Sequence, residues 1–472
     1  MPETEEYQLR PLGWENDPEV ERLRFSSLDY LAACTYNSYA LFFKLKDEER
    51  AKTLAVLKEG LERTLAQCRQ LVGTIEKNDD DDDHSFVKKR DSTVKFVVKY
   101  FEEEDDTPSM SDIERAHFAS SSLGDTGRFV VEGMSYGEKP ECLPSTKPVV
   151  SAFQANFITG GLIFVANTHH YSNDVMGWAN FVYQLADNCN SIVNLTAPPS
   201  WDSANLDATR FTASDFPSAS KVDGPTSPER HPLLREHAAL LFHLPKSKAE
   251  ELKGLATPAG QYQTIPWVST YDAFSALLWR VITRHRVALY NPDLDETPTL
   301  IEGRNLFWVA ISAKYPDPLT IKEIASLGDA VPLSLLATKI RGMTNSMDQA
   351  ALDQVLAMLA PIRDKTCLFS RVDSFPPLTV VITDWRLAAV CEKADFGFAR
   401  PCAFRHFFDA VSEGLIVVYP PRMFGSDTDE GCEFVVTMEN EIVEAVLGDP
   451  DMKKYFEFRG YEVKRGVESS LG

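Results

Sequence analysis

Residues Phe164–Val182 read FVANTHHYSNDVMGWANFV, and within this stretch the apolar pattern changes period. Upstream, Phe153, Ala155 and Phe157 alternate, then LIFVA follows Thr159-Gly160-Gly161, which predicts two strands joined by a glycine turn. Downstream, Val175, Trp178, Phe181, Val182, Leu185, Cys189 and Ile192 recur at helical spacing and mark one buried face. Ser172 or Asn173 is placed to cap this helix, with Asp174 in its first turn, where a negative charge suits the helix dipole. A strand leading directly into a helix indicates α/β layering. The junction, where such folds usually display reactive groups, holds His169 and His170.

The same reading extends along the chain. Leu54, Leu57, Leu61, Leu65 and Cys68 make Arg50 to Gln70 an amphipathic helix, followed by a short strand at LVGTI and a solvated acidic turn at NDDDDDH. Residues 198–245 are rich in Pro, Ser, Asp and Thr and read as a crossover between an N-terminal domain, 1–197, and a C-terminal domain, 246–472. The second half opens with a helix, STYDAFSALLWRVITRHR, capped by Ser269 or Thr270 with Asp272 in its first turn. Strands are expected at Leu306 to Ile311, Leu378 to Ile382, Gly414 to Tyr419 and Cys432 to Met438, and helices near Asp348 to Ala360 and Glu439 to Leu447.

Composition narrows the function. A chain of 472 residues with 44% hydrophobic residues exceeds one ordinary core, which favours two domains of about 200 residues. A net charge of −22 repels nucleic acid and anionic membranes in general, so an anionic ligand needs a local positive site. No run approaches the roughly 18 apolar residues of a membrane span, and the N-terminus lacks the pattern of a signal peptide. A soluble cytosolic protein is expected, without nucleic-acid or membrane partners. Eight scattered cysteines without a C-x-x-C pair suggest buried reduced thiols rather than a zinc cage or disulfide framework.

His169-His170-Tyr171-Ser172-Asn173-Asp174 admits three readings. A metal site lacks a second His/Cys cluster, so no metal is expected. An ordinary loop is the plain alternative. The third is a general base: an imidazole titrating near neutrality can deprotonate an incoming hydroxyl or amine if its other nitrogen is held by the backbone. A second stretch, ADFGFARP at Ala394 to Pro401, is by itself only a glycine turn, and the kinase reading of Asp395-Phe396-Gly397 fails for want of a glycine-rich loop and an H-R-D run.

Together, and in order with FSSLDYL at Phe25, CRQLVGTI, STYDAFSALLWR, EGRN at Glu302, SLGDA at Ser326, TDW at Thr383 and GLIVVYP…GCEFVVTM, these motifs resemble the BAHD superfamily of acyl-CoA-dependent acyltransferases. The likeness is nearest to the fungal secondary-metabolite, trichothecene acetyltransferase-like branch and spans nearly the whole chain.

The resemblance implies two similar chloramphenicol-acetyltransferase-like α/β domains with mixed sheets flanked by helices, and an active-site tunnel between them. It implies acyl-CoA, commonly acetyl-CoA, as a co-substrate rather than a bound cofactor, a small-molecule acceptor, and a monomer. By the same resemblance His170 is the base, Asp174 turns away to pair with Arg304, and Asp395 and Gly397 shape a loop. Thr383 or Trp385 is matched to a position near the tetrahedral centre, as an oxyanion donor. A stand-alone condensation domain and a non-catalytic relative are the alternatives, weighed against by the D-F-G loop and by intact His170. Two departures stand out: Ala399 replaces the last motif glycine, which would cost about 1 kcal/mol if that site needed positive φ, and LFWVAISAKYPDP replaces the proline-rich segment after the arginine.

Overall fold

The computed structural model describes residues 2–79, 83–102, 105–137, 139–258, 265–291, 298–299, 301–304, 319–320, 324, 332–346, 348–368, 372–375, 377–408, 414–423 and 429–463, with backbone alone for 298–299, 301–304 and 319–320. Two six-stranded sheets carry the fold. The first runs in the order Glu3–Leu9, Val94–Tyr100, Ser151–Ile158, Gly161–His169, Tyr36–Lys44 and Ala403–His406. It is mixed, because Val94–Tyr100 and Ser151–Ile158 pair parallel while its other neighbours pair antiparallel. The second runs Ile301–Arg304, Val380–Asp384, Leu415–Val418, Cys432–Glu439, His237–Leu244 and Glu457–Val463, parallel over its first three strands and antiparallel beyond.

Each sheet buries its apolar strand residues under helices. Arg50–Gln67 and Val175–Asn194 lie together on the first sheet, close enough at Gly60 that a Cβ there would sit 2.4 Å from the Cys189 Sγ. Val175, Trp178, Phe181, Val182, Leu185 and Cys189 are all buried, so the periodicity found the packed face. Burial of large aromatic side chains such as Trp178 and Phe181 is a main source of core stability. Thr270–Tyr290 and Leu333–Asn345 contribute to the separate core over the second sheet. No described helix is long and apolar enough to cross a membrane.

Several elements differ from the sequence reading. The end of the 198–245 crossover, His237–Leu244, is a strand between Cys432–Glu439 and Glu457–Val463, and every residue in it is buried. Its apolar run lacks alternation because both faces of the strand are covered. Asp174 is the N-cap of Val175–Asn194, not a first-turn residue; its extended backbone (φ −87, ψ −173) lets its carboxylate accept the N–H groups of Met176 and Gly177. Ser172 donates instead to the His169 carbonyl, and Asn173 accepts from Thr168. Ser269 caps Thr270–Tyr290 in a capping box with Asp272. Leu306 to Ile311 and SLGDA lie outside the described residues, as do 80–82 of the acidic turn, whose flanking strands Thr74–Lys77 and His84–Lys89 pair antiparallel.

The strand Ala403–His406 belongs by sequence to the second half but completes the first sheet, pairing with Tyr36–Lys44 so that His406 stands opposite Tyr39. It follows the Ala394–Pro401 turn, which fastens on the first half through Phe396, buried edge-on to Phe43 at 5.0 Å. The Tyr183 hydroxyl adds a 2.7 Å hydrogen bond to the Ala388 carbonyl.

Candidate active site

The two histidines occupy different environments. His169 ends its strand with no exposed surface; its Nε2 is 2.8 Å from the Cys142 carbonyl, and its Nδ1 accepts the Tyr171 N–H. Burial holds it down to about 4, so it stays neutral. His170 is half-buried just beyond, with its backbone N–H on the Thr35 carbonyl at 2.8 Å. Its Nδ1 lies 3.1 Å from the Asn173 carbonyl. A carbonyl only accepts, so the ring proton sits on Nδ1 and the basic lone pair on Nε2.

The loop holding His170 is braced from below. Tyr171 is buried against Phe25 and Tyr30, and Asp29 of the same FSSLDYL segment closes a turn by accepting the Ser26 N–H at 2.7 Å. Burial pushes Asp29 up to about 7, against the hydrogen bonds from Ser26. Oδ1 of Asp174 takes both N–H groups of the helix cap described above. The Arg304 backbone pairs in parallel register with Thr383, and its side chain lies outside the described residues.

From the second half, Trp385 follows the strand Val380–Asp384 and donates its indole N–H to the Thr383 Oγ1 at 2.9 Å. That leaves the Thr383 hydroxyl proton to be directed elsewhere. The Trp385 ring meets Tyr39, Phe404, His406 and Tyr419 with centroids 5.9–6.1 Å apart. His406 is buried, with its Nε2 3.2 Å from the Asn37 Oδ1 and its ring against Tyr39, Tyr136 and Phe408. Burial, reinforced by the neighbouring His170, lowers it to about 3. Thus His170, His406 and Trp385, far apart in sequence, share one neighbourhood where the second half meets the first sheet. Sequence reasoning missed His406, Asn37 and Tyr39. For His406 the one signal was a histidine inside the apolar run CAFRHFF, shortly after the D-F-G turn.

Asp395 and Gly397 lie apart from this cluster and build the turn. The Asp395 carboxylate accepts the Gly397 N–H at 2.9 Å and pairs with Arg400 at 2.9 Å. Gly397 has φ +77, and a Cβ there would lie 2.9 Å from the Asn190 Cα and the Val193 Cβ. Ala399 does not have positive φ, and its carbonyl accepts the Phe396 N–H at 3.1 Å, so alanine fits without strain. The conformational cost weighed for this position does not arise.

Known proteins resemble this chain over most of its length. Residues 35–189 match the trichothecene 3-O-acetyltransferase-like N-terminal domain. An acetyltransferase from Gibberella zeae is 48% identical over 98% of this chain and 95% of its own length. The chain belongs to this family of fungal, BAHD-like acetyltransferases. The trichothecene 3-O-acetyltransferase of Fusarium sporotrichioides is 24% identical over 90% of the chain and 94% of its own length. The crystal structure of that species' enzyme with coenzyme A and T-2 superposes with a TM-score of 0.72 at 20% identity, covering 93% of this chain and all of the other. Vinorine synthase superposes with a TM-score of 0.58 at 19% identity, over 94% of this chain and 96% of its own. These superpositions show the two-domain fold of mixed sheets flanked by helices. As a member of the family, this protein is an acyl-CoA-dependent acetyltransferase, with acyl-CoA a co-substrate and not a resident cofactor.

Proposed function

We propose that the protein acetylates a hydroxyl of a terpenoid secondary metabolite, with His170 as general base and acetyl-CoA as donor. The observation that carries this is the contact between His170 Nδ1 and the Asn173 carbonyl, which puts the basic lone pair on Nε2. The acceptor oxygen attacks the thioester carbonyl while Nε2 takes its proton. The tetrahedral oxyanion collapses by expelling the CoA thiolate, and the imidazolium returns the proton to that sulfur. Thr383, whose oxygen already accepts the Trp385 N–H, is the donor assigned to the oxyanion, a role typically worth about 3 kcal/mol. The Asp174–Arg304 pair and the loop-shaping roles of Asp395 and Gly397 belong to the same proposal, as do a monomeric state, a cytoplasmic location and two domains, 1–197 and a C-terminal one that begins with the strand His237–Leu244 rather than at 246.

Terpenoids are chosen because relatives at 24% identity are named for trichothecene and eremophilane acetylation. The test is release of CoA thiol from acetyl-CoA with a panel of terpenoid alcohols and matched amines, the products identified by mass spectrometry. Ester products that vanish in His170→Ala support the reading. Full activity of that variant removes His170 as the base, and products from amines alone overturn the proposed hydroxyl acceptor.

A further inference from the structure

The tautomer assigned to His170 follows from the Asn173 carbonyl, so what fixes Asn173 bears on the base. Asn173 sits in a short loop between the strand Gly161–His169 and the helix Val175–Asn194, and a half-buried residue in such a loop is not held by ladder or helix bonds of its own. Two features hold it. From the strand side, the fully buried Thr168 donates its hydroxyl to the Asn173 Oδ1 at 3.2 Å. From the helix side, Gly177 leaves room for it: a Cβ at 177 would stand 2.9 Å from the Asn173 Cβ, closer than such atoms tolerate. A glycine inside a helix costs about 1 kcal/mol relative to alanine, so a reason for it is expected, and the Asn173 side chain supplies one. The Gly177 N–H also donates to the Asp174 Oδ1 at 2.8 Å, tying the cap to the same corner.

We propose that Thr168 is a positioning residue that clamps Asn173, with Gly177 leaving room for its side chain, so that the Asn173 carbonyl holds the His170 ring proton on Nδ1. Thr168 touches neither the imidazole nor any reacting atom; it acts through Asn173. Its position in the strand fixes the face from which the side chain leaves, because Thr168 pairs across the sheet with both Asn37 and Ser151. When the clamp is loosened, the Asn173 carbonyl drifts and the imidazole divides between its two neutral forms. Only the form with the lone pair on Nε2 is active, so the turnover number falls while acetyl-CoA binding stays.

This inference rests on His170 being the base, and the experiment keeps the two apart. Protein labelled with ¹⁵N histidine is recorded by NMR, the His170 signal being identified by its loss in His170→Gln. The wild type is expected to show Nδ1 protonated and Nε2 bare. Thr168→Val is expected to shift both nitrogens toward an average of the two forms and to lower kcat roughly 5–10-fold, as for loss of one hydrogen bond, with the KM for acetyl-CoA unchanged. Thr168→Ser restores both readouts. Asn173→Ala, which keeps the carbonyl but removes the clamped side chain, repeats the Thr168→Val result and serves in its place if that variant does not fold. Unchanged nitrogen shifts and kcat in the folded variants overturn the clamp, whatever the role of His170. Averaged shifts in Thr168→Val, together with a fully active His170→Gln, keep the clamp and remove the base.

Discussion

The Asp174 carboxylate accepts the N–H of Gly177 at 2.8 Å and that of Met176 at 3.0 Å, so it closes the helix that carries the candidate active-site loop. Asparagine is as good a cap as aspartate, whereas alanine costs about 1 kcal/mol. Asp174→Asn is therefore expected to keep most of the stability that Asp174→Ala loses, measured by urea denaturation. If the Asp174–Arg304 ion pair also forms, Asp174→Asn and Arg304→Met each cost ~3–5 kcal/mol, with a coupling of roughly 1–3 kcal/mol in the double variant. A small loss in Asp174→Asn leaves the cap as the role of this residue.

Exchanging the two histidines separates chemistry from packing. His170→Ala is expected to lower kcat by ~10²–10⁴ with little change in melting temperature, the range for losing a general base. His169→Ala removes a fully buried ring bonded to the Cys142 carbonyl and to the Tyr171 N–H, so it should cost stability first, on the order of 1–3 kcal/mol for the groups left unpaired. Loss of activity in His169→Ala at full stability, with His170→Ala active, reverses the assignment.

Stability is expected to fall on acidification well before the carboxylates titrate. His169 and His406 are held down to about 4 and about 3 by burial, while in the unfolded chain they titrate near 6.5. Their contribution is fully present above that value and is lost as pH falls toward their folded values, because the unfolded state then binds more protons. Asp29, raised to about 7, has the opposite sign: its proton stays on in the folded state, so its contribution declines as pH rises from about 4 to about 7. Of these three groups, two histidines against one carboxyl leave a slope of roughly one proton, about 1.4 kcal/mol per pH unit, between about pH 4 and 6; His117, held down by burial, adds to it, and Glu62, Asp187 and Glu462, pushed up by burial, oppose it. His406→Phe is expected to flatten this slope in thermal scans across that window, and an unchanged slope excludes His406 as its source.

Within the D-F-G turn, the two small residues are not equivalent. Gly397→Ala meets positive φ and the helix residues Asn190 and Val193, and is expected to cost ~2–4 kcal/mol from conformation and overpacking together. Ala399→Gly relieves nothing and should be destabilising by about 0.5–1 kcal/mol through added backbone freedom. A stabilising Ala399→Gly would mean that the turn follows a different path.

Much of the candidate site was legible before the fold was known. The change of period across His169 and His170 located a strand end and a helix start, and the spacing of Trp178, Phe181, Val182 and Leu185 named the packed face, because local periodicity is written directly in residue order. The cap was misplaced by one or two residues: Ser172, Asn173 and Asp174 are all good caps, and which one serves depends on where the other two find partners. The strand His237–Leu244 was hidden in the crossover, since a strand covered on both faces gives no alternation to read.

The sequence by itself determined the main amphipathic helices, the strands flanking the histidine pair, the acidic balance of the chain and the pairing of H-x-x-x-D with D-F-G that marks the family. Tertiary structure alone decided that His406 lies near His170 and Trp385, and that Ala403–His406 completes a sheet begun by the other half of the chain. The reason is physical: a strand edge accepts any partner whose backbone can pair and whose side chains fit. That fit depends on Tyr39, Phe43, Phe404 and Phe396 meeting in three dimensions, a condition distributed over residues hundreds of positions apart.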